Sequence, residues 1–68
     1  MAKVTAASVN RMLKTNGVQE RLQRDSRGWF TFSLGESGQW ESNIVPVRSA
    51  SQLTLEQWWE QYLLLKNS

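Results

Sequence analysis

Two acidic residues, one before and one after a tryptophan, are the first candidates for chemistry in this chain. Glu36 and Glu41 flank Trp40, and two carboxylates could act as a general acid and a general base. Acidic residues in a solvated loop account for the same letters without any catalytic role. The chain has no histidine and no cysteine, so the commonest general base and the thiolate nucleophile are missing. We therefore expect a protein that is not an enzyme.

The remaining ligand types do not have the spacing of a metal or phosphate site. An oxygen-only metal site would need Asp25, Glu36 and Glu41, which lack the spacing of a calcium-binding loop. No glycine-rich segment is followed by the lysine of a phosphate-binding loop. The sequence therefore predicts no metal and no cofactor.

Two helices are predicted at the ends of the chain. The first spans about Thr5 to Thr15, with Thr5 as its N-cap and Gly17 in the left-handed conformation just past its end. The second begins at Thr54-Leu55-Glu56-Gln57, a capping box in which Thr54 and Gln57 bond each other's backbone amides. Both helix starts are strong local signals.

Between the helices we expect three strands, over residues 18–24, 29–34 and 43–48. The first two are joined by the turn Asp25-Ser26-Arg27-Gly28, and a looser loop holding Trp40 leads to the third. Pro46 cannot donate to a ladder, so the third strand should lie at an edge. The order α-β-β-β-α predicts one α+β domain over residues 1–68, with both helices on one face of a three-stranded antiparallel sheet.

The middle strand has aromatic residues on both faces, because successive side chains of a strand point to opposite sides. Phe30 and Phe32 should face the helices and Trp29 should point away. The other residues expected to face the helices are Val18, Leu22, Leu34 and Ile44. The open face would then carry Gln19, Arg21, Gln23, Trp29, Thr31, Ser33, Val45 and Val47. Among the tryptophans we expect Trp58 or Trp59 to be the deepest and Trp29 the most exposed.

Three interpretations of this open face remain. Trp29, Arg21, Val45 and Val47 would form a protein-binding patch, because Trp and Arg are enriched in interface hot spots. Trp29 could instead lie flat over the two valines as a cover for the sheet. In the third interpretation the face binds nucleic acid weakly, and the possible contacts besides Trp29 are Arg21, Arg24, Arg27 and Arg48.

Charge and hydropathy narrow the class of protein further. The net charge of +2 is mildly basic, short of the dense basic block of a dedicated DNA-binding tail. The longest apolar run, residues 62–65, is too short to span a membrane, and no signal peptide is visible. We expect a soluble cytoplasmic protein. Of the three consecutive leucines, Leu64 should be exposed, and we expect a monomer.

One resemblance covers about residues 3–60. Its motifs are Asn10, Leu13-Lys14, Gly17, Arg27-Gly28-Trp29-Phe30-Thr31-Phe32, Trp40 and Leu53-Thr54-Leu55-Glu56-Gln57-Trp58. In these motifs the chain resembles short uncharacterised proteins encoded by bacteriophages and mobile elements. The resemblance implies a phage or prophage setting and a host or phage protein as the partner. No activity is attached to that group that could be carried over to this chain.

Overall fold

The computed structural model describes residues 3–67 and has the predicted order α-β-β-β-α. Helix α1 spans Ala6–Thr15 and helix α2 spans Leu55–Asn67. The strands are β1 (Arg21–Arg24), β2 (Phe30–Ser33) and β3 (Ile44–Val45). Short 3-10 helices at Ser37–Gln39 and Ala50–Gln52 precede β3 and α2. The fold class is α+β.

Both ends of α1 are fixed by the residues that the sequence indicates. Thr5 is the N-cap: its Oγ1 accepts from the Ser8 amide at 3.1 Å, and Ser8 Oγ accepts from the Thr5 amide at 2.7 Å. At the other end Gly17 has φ +75°, which glycine adopts without steric cost. The Val18 amide then reaches the Leu13 carbonyl at 3.2 Å, as in a Schellman motif. The predicted helix is confirmed.

The start of α2 is the predicted capping box. Gln57 donates its amide to Thr54 Oγ1 at 3.1 Å, and the Gln57 side chain accepts from the Thr54 amide at 2.9 Å. Two amides that the helix itself leaves without acceptors are satisfied in this way. Trp58, one turn further on, is fully buried.

The sheet is antiparallel, in the order β1-β2-β3. Between β1 and β2, Asp25 Oδ1 accepts from the amides of Arg27 and Trp29, each at 2.9 Å, and this carboxylate closes the turn. β3 is shorter than expected. Pro46 has no N–H, and the Val47 amide bonds back to the Val45 carbonyl at 2.8 Å, so the ladder ends there.

A helix side chain completes the outer edge of β1. Asn10, on α1, donates its Nδ2 to the Leu22 carbonyl at 3.1 Å and accepts from the Leu22 amide on Oδ1 at 2.6 Å. One primary amide thus makes both hydrogen bonds that a neighbouring peptide group would make. This contact fixes the position of α1 relative to the sheet.

The core lies between the sheet and the helices, and aromatic rings fill its centre. The Phe30 and Trp58 ring centroids are 5.6 Å apart, and those of Phe32 and Tyr62 are 5.8 Å apart, both edge to face. The Trp58 indole donates to the Ala50 carbonyl at 2.8 Å, so its one polar group is satisfied. The buried apolar residues are Val9, Leu13, Leu22, Phe30, Phe32, Val45, Ala50, Trp58 and Tyr62.

The predicted orientation of β2 is confirmed, but the predicted orientation of β3 was wrong. Val45 pairs with Phe30 and is only 2% exposed, so it faces the core. Ile44 pairs with Thr31 on the opposite face and is 37% exposed. Val47 is half-buried and packs against the core. Leu34, expected inside, is 67% exposed because its φ of +68° ends the strand alternation.

Candidate functional site

The candidate site is the face of the sheet that points away from the two helices, which we call the outer face. Arg21 pairs with Ser33, and Thr31 lies between Gln23 and Ile44, in alternation with the buried inner-face residues. The Asp25 amide bonds to the Trp29 carbonyl at 2.7 Å, which continues the pairing by one residue. Trp29 therefore points opposite to Phe30. The outer face consists of Arg21, Gln23, Trp29, Thr31, Ser33 and Ile44.

Trp29 is half-buried without being part of the core. Among the described residues, the partly buried apolar side chains that pack on the core do not include it. The Arg48 guanidinium lies over its ring, with Cζ 5.5 Å from the ring centroid. Such a cation–π contact at an exposed site is worth only about 0.5–1 kcal/mol, so a partner can displace it. Because Val45 lies on the opposite face, Trp29 is not its cover.

The four arginines predicted to contact nucleic acid do not gather on one side. Arg21 Nη1 is engaged by the carbonyls of Val18 and Glu20, each at 2.7 Å, and Arg27 is paired with Asp25 at 3.4 Å. Arg24 and Arg48 do meet, since Arg24 Nη2 donates to the Arg48 carbonyl at 2.9 Å.

Those two arginines nevertheless cover rings on opposite faces of the sheet. Arg24 Cζ is 5.0 Å from the ring centroid of Phe30, on the inner side, whereas Arg48 covers Trp29. They form a basic edge at the hairpin end of the sheet rather than a basic face.

Ile44 is the outer-face residue that sequence reasoning missed. Residues 44–47 read Ile-Val-Pro-Val, in which both possible faces are apolar, so alternation alone does not choose between them. The orientation is set by pairing with β2, where Val45 packs beside Phe30.

A second missed residue is Glu20, which is only 6% exposed just before β1. Its Oε1 accepts from the Tyr62 hydroxyl at 3.1 Å, and its Oε2 accepts from the Glu36 amide at 2.7 Å. A side chain at Gly35 would collide with this carboxylate. The signal was in the sequence, because alternation places Glu20 on the same face as Leu22, where a carboxylate needs partners.

The surroundings of Glu20 keep it ionised. Burial alone would raise the pKa of Glu20, but hydrogen bonds from the Glu36 amide, its own amide and the Tyr62 hydroxyl, with the charge of Lys66, act against it. The pKa lies below the ordinary value of 4.5. Burial and the contact with Glu20 raise the pKa of Tyr62 above 10.0. Neither group titrates near neutral pH, so this pair is a structural contact between α2 and the residue just before β1.

The candidate acid–base pair is not built into a site. Glu36 and Glu41 are both exposed. Over residues 3–67 no three potential metal ligands among the acidic side chains come together. In the same part of the chain, neither helix has the length and apolar character needed to cross a bilayer.

Comparisons of this chain with protein-family models, curated proteins and solved structures find no match. The resemblance to phage-encoded proteins therefore stays a prediction.

Proposed function

We propose that this chain is a non-catalytic module that binds a protein partner through its outer face. The observation that carries the proposal is Trp29, a large aromatic side chain held outside the core beneath the guanidinium of Arg48. Tryptophan and arginine are the residue types most enriched in interface hot spots. The half-buried side chain leaves part of its aromatic surface for a partner.

The composition of the outer face resembles that of a small interface. Trp29, Ile44 and the methyl group of Thr31 supply an apolar centre, and Arg21 and Gln23 stand on the rim toward β1. Protein interfaces have this arrangement of an apolar centre and a polar rim. Three short strands spaced about 4.8 Å apart cover roughly 200–300 Å², well below the ~800 Å² per partner of a stable complex. We therefore expect weak and transient binding unless the partner also contacts neighbouring loops.

The charge of Arg48 beside Trp29 indicates the chemistry of the partner. The Arg48 guanidinium lies over the ring, and its N–H groups are donors that suit a carboxylate. Arg24 donates to the Arg48 carbonyl but lies over Phe30 on the inner side, so the cation beside Trp29 is Arg48. The proposed partner is a cytoplasmic host or phage protein with an acidic side chain beside an apolar one.

A binding comparison between matched variants tests this proposal. The immobilised protein is incubated with host lysate beside Trp29→Ser, Ile44→Ser and the control Leu64→Ser, whose leucine is 64% exposed on α2. We expect one protein to be retained by the parent and the control and lost by both outer-face variants, with all four equally folded by circular dichroism. Retention by the outer-face variants, or equal loss in the control, would contradict the proposal.

Nucleic acid is the second candidate, favoured by the contact between Arg24 and Arg48. A titration with single-stranded and duplex DNA and RNA at low salt distinguishes this candidate from a protein partner. Micromolar binding that weakens steeply with salt, and further in Arg48→Gln, would favour nucleic acid. Absence of binding leaves the protein partner as the proposal.

We also propose that the module is a monomer. The exposed leucines of α2 form a patch too small for an obligate interface. Sedimentation at micromolar concentration should give a monomer. A dimer dissociated by Leu64→Lys would overturn this.

A further inference from the structure

We propose that a groove on the inner side of the sheet, separate from the outer face, binds a small phosphate monoester. The groove has a volume of about 300 Å³ and lies between the start of α1, the end of β1 and the 3-10 helix before α2. Its lining residues are Lys3, Val4, Thr5, Ala6, Arg24, Phe30, Ser49, Ala50 and Ser51. Small-molecule sites begin at about this size.

The lining of the groove carries positive charge only. Lys3 and Arg24 contribute two cations, and none of the lining residues is acidic. The single ion pair found over residues 3–67 joins Arg27 to Asp25, so neither groove cation has a carboxylate partner there. Two uncompensated cations at one groove attract a dianion, and a phosphate monoester carries nearly two charges at neutral pH.

Arg24 is held in place for such a ligand. Its guanidinium lies over the Phe30 ring, with Cζ 5.0 Å from the ring centroid, and one Nη2 hydrogen is used by the Arg48 carbonyl. A guanidinium has five N–H donors, so the others remain for phosphate oxygens. Because its position is already fixed by two contacts, less side-chain entropy is lost when a ligand binds.

Hydroxyl groups on the opposite wall add neutral donors. Ser49 Oγ and Ser51 Oγ are 2.8 Å apart and share one hydrogen bond. Whichever of the two donates, the hydrogen of the other hydroxyl is left for a ligand. Ala6, the first residue of α1, also has an amide without an intrahelical acceptor.

The floor of the groove favours an ester over free phosphate. Val4 and Ala6, both half-buried, bring apolar surface beside the cations, whereas Phe30 and Ala50 are almost fully buried. A ligand with a phosphoryl group and an apolar or aromatic body can use both, as a nucleoside monophosphate does. Inorganic phosphate can use only the cations and hydroxyls.

The experiment is an NMR titration of the full chain with three probes: adenosine monophosphate, inorganic phosphate and adenosine. We expect the amide signals of Ala50 and Ser51 to shift with the monophosphate at the lowest concentration, with phosphate at higher concentration and least with adenosine. Arg24→Gln and Lys3→Gln should each weaken binding of the monophosphate about tenfold. The control is Lys14→Gln, an exposed lysine at the other end of α1.

Three results would overturn the proposal. They are equal binding of adenosine, shifts spread over all basic residues, and an equal effect of Lys14→Gln. Because Arg24 and Lys3 are exposed, their variants should fold, and Arg24→Lys gives a second variant that keeps the charge. The outcome is independent of the outer-face proposal, which is tested by Trp29 and Ile44.

Discussion

The Tyr62 hydroxyl on α2 donates a 3.1 Å hydrogen bond to Glu20 Oε1, across 42 positions of sequence. The other carboxylate oxygen binds the Glu36 amide at 2.7 Å. One carboxylate therefore joins the last helix, the start of β1 and the segment after β2. Trp40 packs against the same tyrosine, with ring centroids 5.6 Å apart. These three segments are therefore joined by a charged group, where a hydrophobic contact would be usual.

Replacing that carboxylate should destabilise the fold. Glu20→Gln keeps the shape but weakens both charge-assisted hydrogen bonds, so we expect a loss of about 1–3 kcal/mol in the free energy of unfolding. Tyr62→Phe removes only the hydroxyl and should cost less. Urea unfolding measures both, and the exposed Glu41→Gln is the control. If Glu20→Gln were as stable as the parent, the contact would have no energetic role.

Acid should weaken the same contact. The folded-state pKa of Glu20 lies below the ordinary value of 4.5, so its stabilisation is present above pH 4.5 and is lost as the pH falls through the folded value. Tyr62 has the opposite sign: its raised pKa predicts a second loss as the pH rises above 10.0.

Urea unfolding at pH 7 and at pH 3 tests the predicted loss of stability in acid. The parent should lose more stability between these values than Glu20→Gln does, because the variant has no carboxylate to titrate at this position. Equal losses would assign the acid sensitivity to other carboxyl groups, such as Asp25, whose pKa is also lowered.

Gly35 is the glycine that the structure requires most strictly. It has φ +53°, and a Cβ there would meet the Glu20 carboxylate. We expect Gly35→Ala to destabilise the protein by about 1–3 kcal/mol, whereas Gly38→Ala, where a Cβ meets open space, should not. The double variant Glu20→Ala/Gly35→Ala separates the two causes. If the collision matters, its loss will be smaller than the sum of the single losses.

Asn10 should contribute more to the stability of the fold than a partly buried polar residue usually does. Asn10→Ala leaves both the amide and the carbonyl of Leu22 without their partner, for an expected loss of about 1–3 kcal/mol. Asn10→Asp should also destabilise, because a carboxylate would face the Leu22 carbonyl. Thermal unfolding compares them with Asn67→Ala, an exposed asparagine on α2. Equal melting temperatures for Asn10→Ala and the parent would show that water replaces the side chain at no cost.

The elements were predictable because their boundaries depend on local chemistry. Thr5, Gly17, Asp25 and Thr54 each act on backbone groups within five residues, so a short window of sequence contains both partners. Which face of β2 points to the core could also be predicted from the sequence, because Phe30 and Phe32 make that face clearly more apolar than the other.

What could not be predicted depends on distant partners. The orientation of β3 is set by Phe30, on another strand. Alternation with Leu22 could have placed Glu20 toward the core, but nothing near it in sequence indicates Tyr62 as its partner. Trp29 was placed on the correct face, whereas its contact with Arg48 depends on how the chain returns after β3.

The Asn10 side chain has a consequence for how this protein behaves at high concentration. β1 is an outermost strand, and free strands of this kind can recruit another chain into a continuous ladder, the first step toward amyloid-like aggregation. Here Leu22 already has its hydrogen bonds from the helix, and β3 at the far side is two residues long and followed by a proline. Both borders of the sheet thus resist strand addition. The protein can present an aromatic face to its surroundings with little risk of polymerising through its backbone.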